Sequence, residues 1–153
     1  FIRCYLEGLL HSFLFLLFVC AGILLEIDLI PDQPLYALGC WLSLWVLGLG
    51  AGLTLSALSG LVPEIARVVR IASLPLLIVS GVIMPLNFLP YEVQQYLMWN
   101  PIAHGLEALR SAFFSSYRPV PGTDLFYLWY FALGLTVLGL MLHLRFEMRL
   151  KRQ

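Results

Sequence analysis

The sequence predicts an all-α, polytopic membrane bundle: four transmembrane helices, with an amphipathic helical hairpin inserted before the last of them. Three observations carry that expectation. Hydrophobic residues make up 61% of the 153 and charged residues 12%. A soluble domain carries about half apolar and about 25% charged residues, so this chain has too little polar surface to cover a water-facing fold. Mean hydropathy is +0.90, and uncharged runs long enough to cross a bilayer recur along the chain.

Residues 4–25 supply the first span, since 22 residues make about 33 Å of helix against a hydrocarbon core of about 30 Å. Glu7 and His11 lie toward its first end. Residues 35–62 contain no charge and give about 42 Å of helix, enough to cross with tilt or to overrun the lipid edge. The third run, 71–86, reaches only about 24 Å. Pro75 and Pro85 fall inside it, and each removes an amide donor from a helix. Such a broken span is tolerated at membrane depth where protein or a watery cavity satisfies the freed groups; a simple proline kink packed in a bundle is the other reading. Residues 125–144 form a clean last span.

Between the third and fourth runs, "NFLPYEVQQYLMWNPIAHGLEALRSAFF" (87–114) is too apolar for a solvated loop. Pro90 suits the first turn of a short helix that ends near Trp99. Asn100 then suits an N-cap, and Pro101 the first position of a second helix. In that second helix Ile102, Leu106, Leu109 and Phe113 form an apolar stripe, while His104, Glu107, Arg110 and Ser111 gather on another side. The pattern predicts an amphipathic pair that dips into the outer leaflet. Two readings of the polar side stand. It is either a set of intrahelical pairs worth about 0.2–0.5 kcal/mol each that solubilise one face, or a polar gate where a hydrophilic substrate leaves the protein. Trp99, Phe113, Phe114 and Tyr117 suit either stacking on sugar rings or anchoring at the lipid interface.

Orientation follows from the cations. The tail "RFEMRLKRQ" carries Arg145, Arg149, Lys151 and Arg152, which the positive-inside rule places in the cytoplasm. Four spans then put seven of the nine cations inside, leaving only Arg110 and Arg118 outside. The acidic turn at 26–34 falls outside as well. On the inner side "PEIARVVR" sets Glu64, Arg67 and Arg70 on a short helical start after Pro63, read either as a snorkelling positive-inside loop or as a docking contact for a cytoplasmic motor subunit. Gly48, Gly52, Ser56 and Gly60 recur every four residues and predict a face for close helix packing.

Several chemistries are excluded by what is missing. The only lysine is Lys151 and no GxxxxGK[ST] occurs, so this chain is not its own ATPase. His11 and His143 are isolated, HExxH and GxSxG are absent, and His104 with Glu107 lacks a third metal ligand, which speaks against an enzyme. Cys4, Cys20 and Cys40 match no metal or redox spacing and read as small buried hydrophobes. No basic run interleaved with aromatics suggests nucleic acid. The chain opens on Phe1, and its first apolar run is too long for a signal peptide and has no small-residue cleavage site after it, so the sequence reads as part of a longer protein.

Taken together, "PEIARVVRIASLPLLIVSGVIMPLNFLPYEVQQYLMWNPIAHGLEALRSAFF" (63–114) resembles the permease subunits of bacterial ABC-type exporters of capsular polysaccharide. A Pro-Glu after the long run, Ser-Gly-Val with Met-Pro, Leu-Pro, and Trp-Asn-Pro followed by His, Glu and Arg occur in that order. The flanking spans fit the last four helices of that family. The resemblance implies an inner-membrane homodimer, an N-terminal amphipathic helix and two helices upstream, and two ATP-binding subunits that hold the ATP and magnesium. It also implies that 87–114 is a re-entrant pair at the outer mouth of the channel. The implied cargo is a lipid-linked polysaccharide passed toward co-polymerase and outer-membrane partners. On this resemblance Trp99, His104, Glu107, Arg110 and Tyr117 are candidates for the substrate path, and Glu64, Arg67 and Arg70 for the ATPase contact. Permeases for O-antigen, teichoic acid or lipo-oligosaccharide share the architecture, and an exporter of drugs or small lipids or a non-transporting membrane scaffold stand as alternatives.

Overall fold

The computed structural model describes residues 30–150, with side chains as far as Phe146, and a few isolated positions before residue 30. Contacts divide the chain into a unit of residues 1–31 and a unit of residues 32–153. In the first unit the described positions Phe13, Leu17, Cys20, Ala21 and Leu24 are helical. The predicted span 4–25, with Arg3, Glu7 and His11, otherwise lies outside the described residues, as do Lys151 and Arg152.

The second unit holds five α-helices, α1 (Pro34–Leu61), α2 (Glu64–Val79), α3 (Tyr91–Leu97), α4 (Pro101–Phe113) and α5 (Leu125–Leu150), with a 3-10 turn at Leu86–Phe88. No strand occurs among the described residues. Among the described residues two stretches, Pro34–Leu61 and Leu125–Phe146, are long and apolar enough to cross a membrane.

These two long helices pack on each other and form the frame. The buried positions of α1 are Ala37, Cys40, Ser43, Leu47, Gly50, Thr54 and Ala57, spaced by threes and fours so that they stay on one face. Nearly all are small. A Cβ at Gly50 would stand 2.7 Å from the Thr136 amide nitrogen, and one at Gly139 would stand 2.7 Å from the Leu53 Cβ, so the backbones meet at both levels. The Thr54 hydroxyl crosses the seam and donates to the Leu135 carbonyl at 2.8 Å. Leu47, Leu128 and Ala132 form the core between the helices. Large apolar side chains point outward instead, among them Leu38, Trp41 and Trp45 on α1 and Phe126, Val137 and Leu144 on α5. Small residues inside and bulky apolar ones outside suit a helix pair solvated by lipid, where close backbone approach drives association.

The predicted packing face proves to be a different one from the face that α1 uses. No atom lies within 4 Å of a Cβ built at Gly48 or Gly52, and both line an open groove of about 580 Å³ with Leu44, Trp45, Leu49, Leu53 and Ser56. Gly48 and Gly50 lie about 200° apart around a helix that turns about 100° per residue. A strict spacing of four also drifts around the cylinder, whereas the alternation of threes and fours does not. Among the described residues the stripe of Gly48, Gly52, Ser56 and Gly60 therefore makes no helix seam.

α2 also differs from the expected third span. It begins at Glu64 rather than 71, runs through Pro75 without stopping, and ends at Val79, leaving Pro85 beyond it. The stop is Gly81, whose φ of +74° is a left-handed backbone that glycine adopts without a Cβ clash. No residue of α2 is buried. Near the C-terminal end of α4, the Gln33 amide donates to the Ala112 carbonyl at 3.0 Å, and the Ser115 amide donates to the Asp32 carboxylate at 2.6 Å. The end of α4 is thereby tied to the start of α1.

Gly50→Ala and Gly139→Ala are expected to destabilise the fold by about 1–3 kcal/mol, as overpacking does. Gly48→Ala and Gly52→Ala should be neutral or stabilising by up to about 1 kcal/mol, through helix propensity alone. Thermal unfolding of the four variants in detergent checks the contrast in sign.

Candidate functional site

α3 and α4 arise from local rules that the sequence states openly. Pro90 precedes α3 with an extended ψ of 144°. Asn100 caps α4, its Oδ1 accepting from the Ile102 amide at 3.1 Å, and Pro101 takes the first helical position. The same asparagine does a second job. Its Nδ2 donates to the Ser80 hydroxyl at 2.8 Å, which in turn donates to the Leu76 carbonyl at 2.6 Å. One side chain thus joins the start of α4 to the end of α2.

The centre of the site is Glu107, with 0% of its surface exposed. Its Oε1 accepts from Arg110 Nη1 at 2.9 Å and from the Leu86 amide at 3.4 Å. Its Oε2 accepts from the Tyr117 hydroxyl at 2.8 Å and from the Val120 amide at 3.3 Å. Arg110 then extends the network, as Nη2 donates to the carbonyls of Gly81 and Val82. The pair therefore gathers the turn after α2, the 3-10 turn and the loop after α4. Apolar packing of Leu86, Ala103 and Val120 closes over it. Burial, with the Glu107 carboxylate beside it, pushes the Tyr117 phenol well above its ordinary value, because both disfavour a second negative charge there.

His104 serves the opposite end of α4. Its Nδ1 accepts from the Asp124 amide at 2.9 Å, so the neutral ring carries its proton on Nε2, which donates to the Met98 carbonyl at 2.6 Å. The Tyr127 ring packs against it at 4.7 Å, and the Tyr127 hydroxyl donates to the Trp99 carbonyl at 3.0 Å. The start of α5 is thereby fastened to the α3–α4 junction.

His104, Glu107 and Arg110 do share one side of α4, but that side faces protein. The reading of a water-solubilising face is overturned, since His104 is 5% and Glu107 0% exposed. Trp99 is 79% exposed, and Tyr117 is half-buried with its hydroxyl on Glu107. Glu64, Arg67 and Arg70 are exposed at the start of α2, a helix of about 24 Å whose far end meets Asn100 and Arg110. Sequence reasoning missed Ser80, Asp124 and Tyr127. Asp124 carried a legible signal: it stands before an apolar run, and its Oδ1 accepts from the Phe126 amide at 2.8 Å as a helix cap does. Ser80 and Tyr127 act only through spatial neighbours and carried none.

Comparison with known proteins bears on this arrangement. Residues 3–114 match the family model described as the ABC-2 type transporter. Two curated relatives from Escherichia coli, both named polysialic acid transport protein KpsM, are 34% identical over 103 residues, covering 67% of this chain. The chain spans 40% of the length of those relatives.

Glu107→Ala removes the carboxylate shared by the partly exposed Arg110 guanidinium, the Tyr117 hydroxyl and the Leu86 and Val120 amides and is expected to cost about 2–4 kcal/mol, as loss of a buried acceptor and its cavity does. Tyr117→Phe should cost about 1 kcal/mol. The phenol's folded value lies above the ordinary 10, so its stabilisation is complete below pH 10 and is lost only as pH rises through the folded value. The Tyr117→Phe penalty, read from unfolding in detergent, should therefore stay constant across about pH 6–9.

Proposed function

The chain belongs to the ABC-2 type transporter family, and from that premise we propose that it is the carboxyl-terminal part of an exporter permease moving a lipid-linked capsular polysaccharide across the bacterial inner membrane. Similarity to the polysialic acid transport proteins supports a polysaccharide cargo. In this reading four spans cross the bilayer, the α3–α4 pair is re-entrant at the outer boundary, and the C-terminus is cytoplasmic. Two copies of the whole protein form the conduit. ATP and magnesium act in two separate ATP-binding subunits, because this chain has no phosphate-binding loop. Beyond the membrane the conduit delivers to co-polymerase and outer-membrane partners.

The observation that carries the mechanism is the double bond network at the end of α2. Arg110 donates to Gly81 and Val82, and Asn100 holds Ser80. The other end of the same helix exposes Glu64, Arg67 and Arg70. α2 is then a short rod with its cationic end at the motor and its other end bonded to the outer helix pair. Displacement of the rod by the motor is felt at α4 because the connection is made by charge-assisted bonds to backbone, which do not slip as apolar contacts do. Glu107 and His104 position the gate, while Trp99 and the exposed edge of Tyr117 face the path.

Arg67→Glu with Arg70→Glu is expected to abolish copurification of the ATP-binding subunit without changing the thermal unfolding of the permease. Unchanged copurification would sink the docking assignment. For the cargo, the whole protein with its ATP-binding partner should restore surface polysaccharide to an export-deficient bacterium; export of small apolar compounds alone would favour the drug or lipid reading instead.

A further inference from the structure

Beside the buried network lies an open cleft of about 440 Å³, lined by Met98, Trp99, His104, Gly122, Asp124 and Tyr127. The geometry points to a subsite for one neutral, hydroxyl-rich sugar ring, an assignment that rests on the export reading above and adds to it the charge of the unit bound.

Two aromatic surfaces and one free acceptor define the cleft. The Trp99 side chain is 79% exposed, yet its backbone is held on both sides, by its own amide donating to Tyr96 and by its carbonyl accepting from Tyr127. A broad ring on a fixed backbone has only its two side-chain torsions left to order, so stacking on it costs little entropy. The Tyr127 ring is likewise fixed between His104 at 4.7 Å and Phe131 at 4.9 Å. A pyranose presents a face of C–H bonds that such plates cover, and a rim of hydroxyl donors. Among the lining groups, both His104 nitrogens are engaged. Asp124 commits Oδ1 to the Phe126 amide, and Oδ2 has no hydrogen-bond partner among the described residues, so it can accept from a sugar hydroxyl.

Charge decides which sugar fits. Among the described residues no cation lines the cleft, and Arg110 is committed to Glu107 and to two carbonyls. A carboxylated sugar would bring its anion against the Asp124 carboxylate without a compensating cation, and at this exposed position like charges a few ångströms apart repel by roughly what a tenfold change in affinity requires. A neutral ring meets no such penalty. The subsite thus selects against the acidic unit that the names of the relatives carry.

The test is equilibrium binding of maltohexaose and of a sialic acid hexamer to the full transporter in nanodiscs, with ATP-driven polysaccharide transport followed in the same preparations. Wild type is expected to bind maltohexaose at least about tenfold more tightly than the sialic acid hexamer, and Trp99→Ala to lose about tenfold for maltohexaose. Asp124→Asn keeps a good helix cap, so a merely structural role leaves both sugars unaffected; the subsite requires weaker maltohexaose binding and stronger sialic acid binding. Preference for the sialic acid hexamer in wild type, or indifference of both sugars to Trp99→Ala, overturns the subsite while transport continues, and so leaves the export reading standing. Quenching of Trp99 by brominated lipid with no response to either sugar makes it a lipid anchor and overturns the subsite too. Loss of all polysaccharide transport in wild type would instead remove the export reading on which the subsite rests.

Discussion

The ion pair of the buried Glu107 with the partly exposed Arg110 ties together the turns that lie outside the long helices among the described residues. The turns after α2 and α4 carry backbone groups that no helix satisfies: amides at Leu86 and Val120, carbonyls at Gly81 and Val82. Buried groups of this kind cost free energy unless they are paired. The two signs need two partners, and the pair supplies both at once: the carboxylate accepts from the amides and the guanidinium donates to the carbonyls. Neutrality of the pair makes its burial tolerable, and the extra bonds to backbone offset the desolvation that an isolated buried ion pair seldom recovers.

That adapter matters because the rest of the unit is held by contact alone. α1 and α5 meet through small residues, with Gly50, Thr54, Leu47, Ala132 and Gly139 along the seam. Their closeness leaves little room to slide, so they form a frame. α4 leans on this frame through Gly105, where a Cβ would stand 2.5 Å from Leu44 Cδ2. α2 buries no residue, and among the described residues its C-terminal end is bonded to Asn100 and Arg110. Among the described residues, a close-packed helix pair, a braced short helix and a helix with no buried residue are thus joined by polar bonds at specific atoms.

Legibility along the chain followed the range of the interactions. Pro90, Asn100 and Pro101 act on residues within one turn, and the two short helices appear where those residues predict them. The long uncharged runs behave in the same way, since length and hydropathy are properties of a segment by itself. Periodicity was less reliable. A spacing of four in Gly48, Gly52, Ser56 and Gly60 marked a smooth face, but which smooth face is used depends on the neighbour, and α5 takes the one through Gly50 and Thr54. In the third run Pro75 is carried inside α2, as the kink reading allows, while Gly81 with its left-handed backbone ends the helix.

From the sequence alone came the all-helical class, the long apolar runs 35–62 and 125–144 that the structure has as helices, the N-cap of α4 and the gathering of His104, Glu107 and Arg110 on one side. These rest on local covalent geometry, on hydrophobic length and on helical repeat, all of which act between near neighbours. What that polar side faces was decided by tertiary structure. Glu107 meets Leu86, Tyr117 and Val120 from segments 10 to 21 residues away, and His104 meets Asp124 across 20. A charged residue in a sequence carries no mark of whether water or protein will solvate it, because that depends on which distant turn arrives with unpaired backbone.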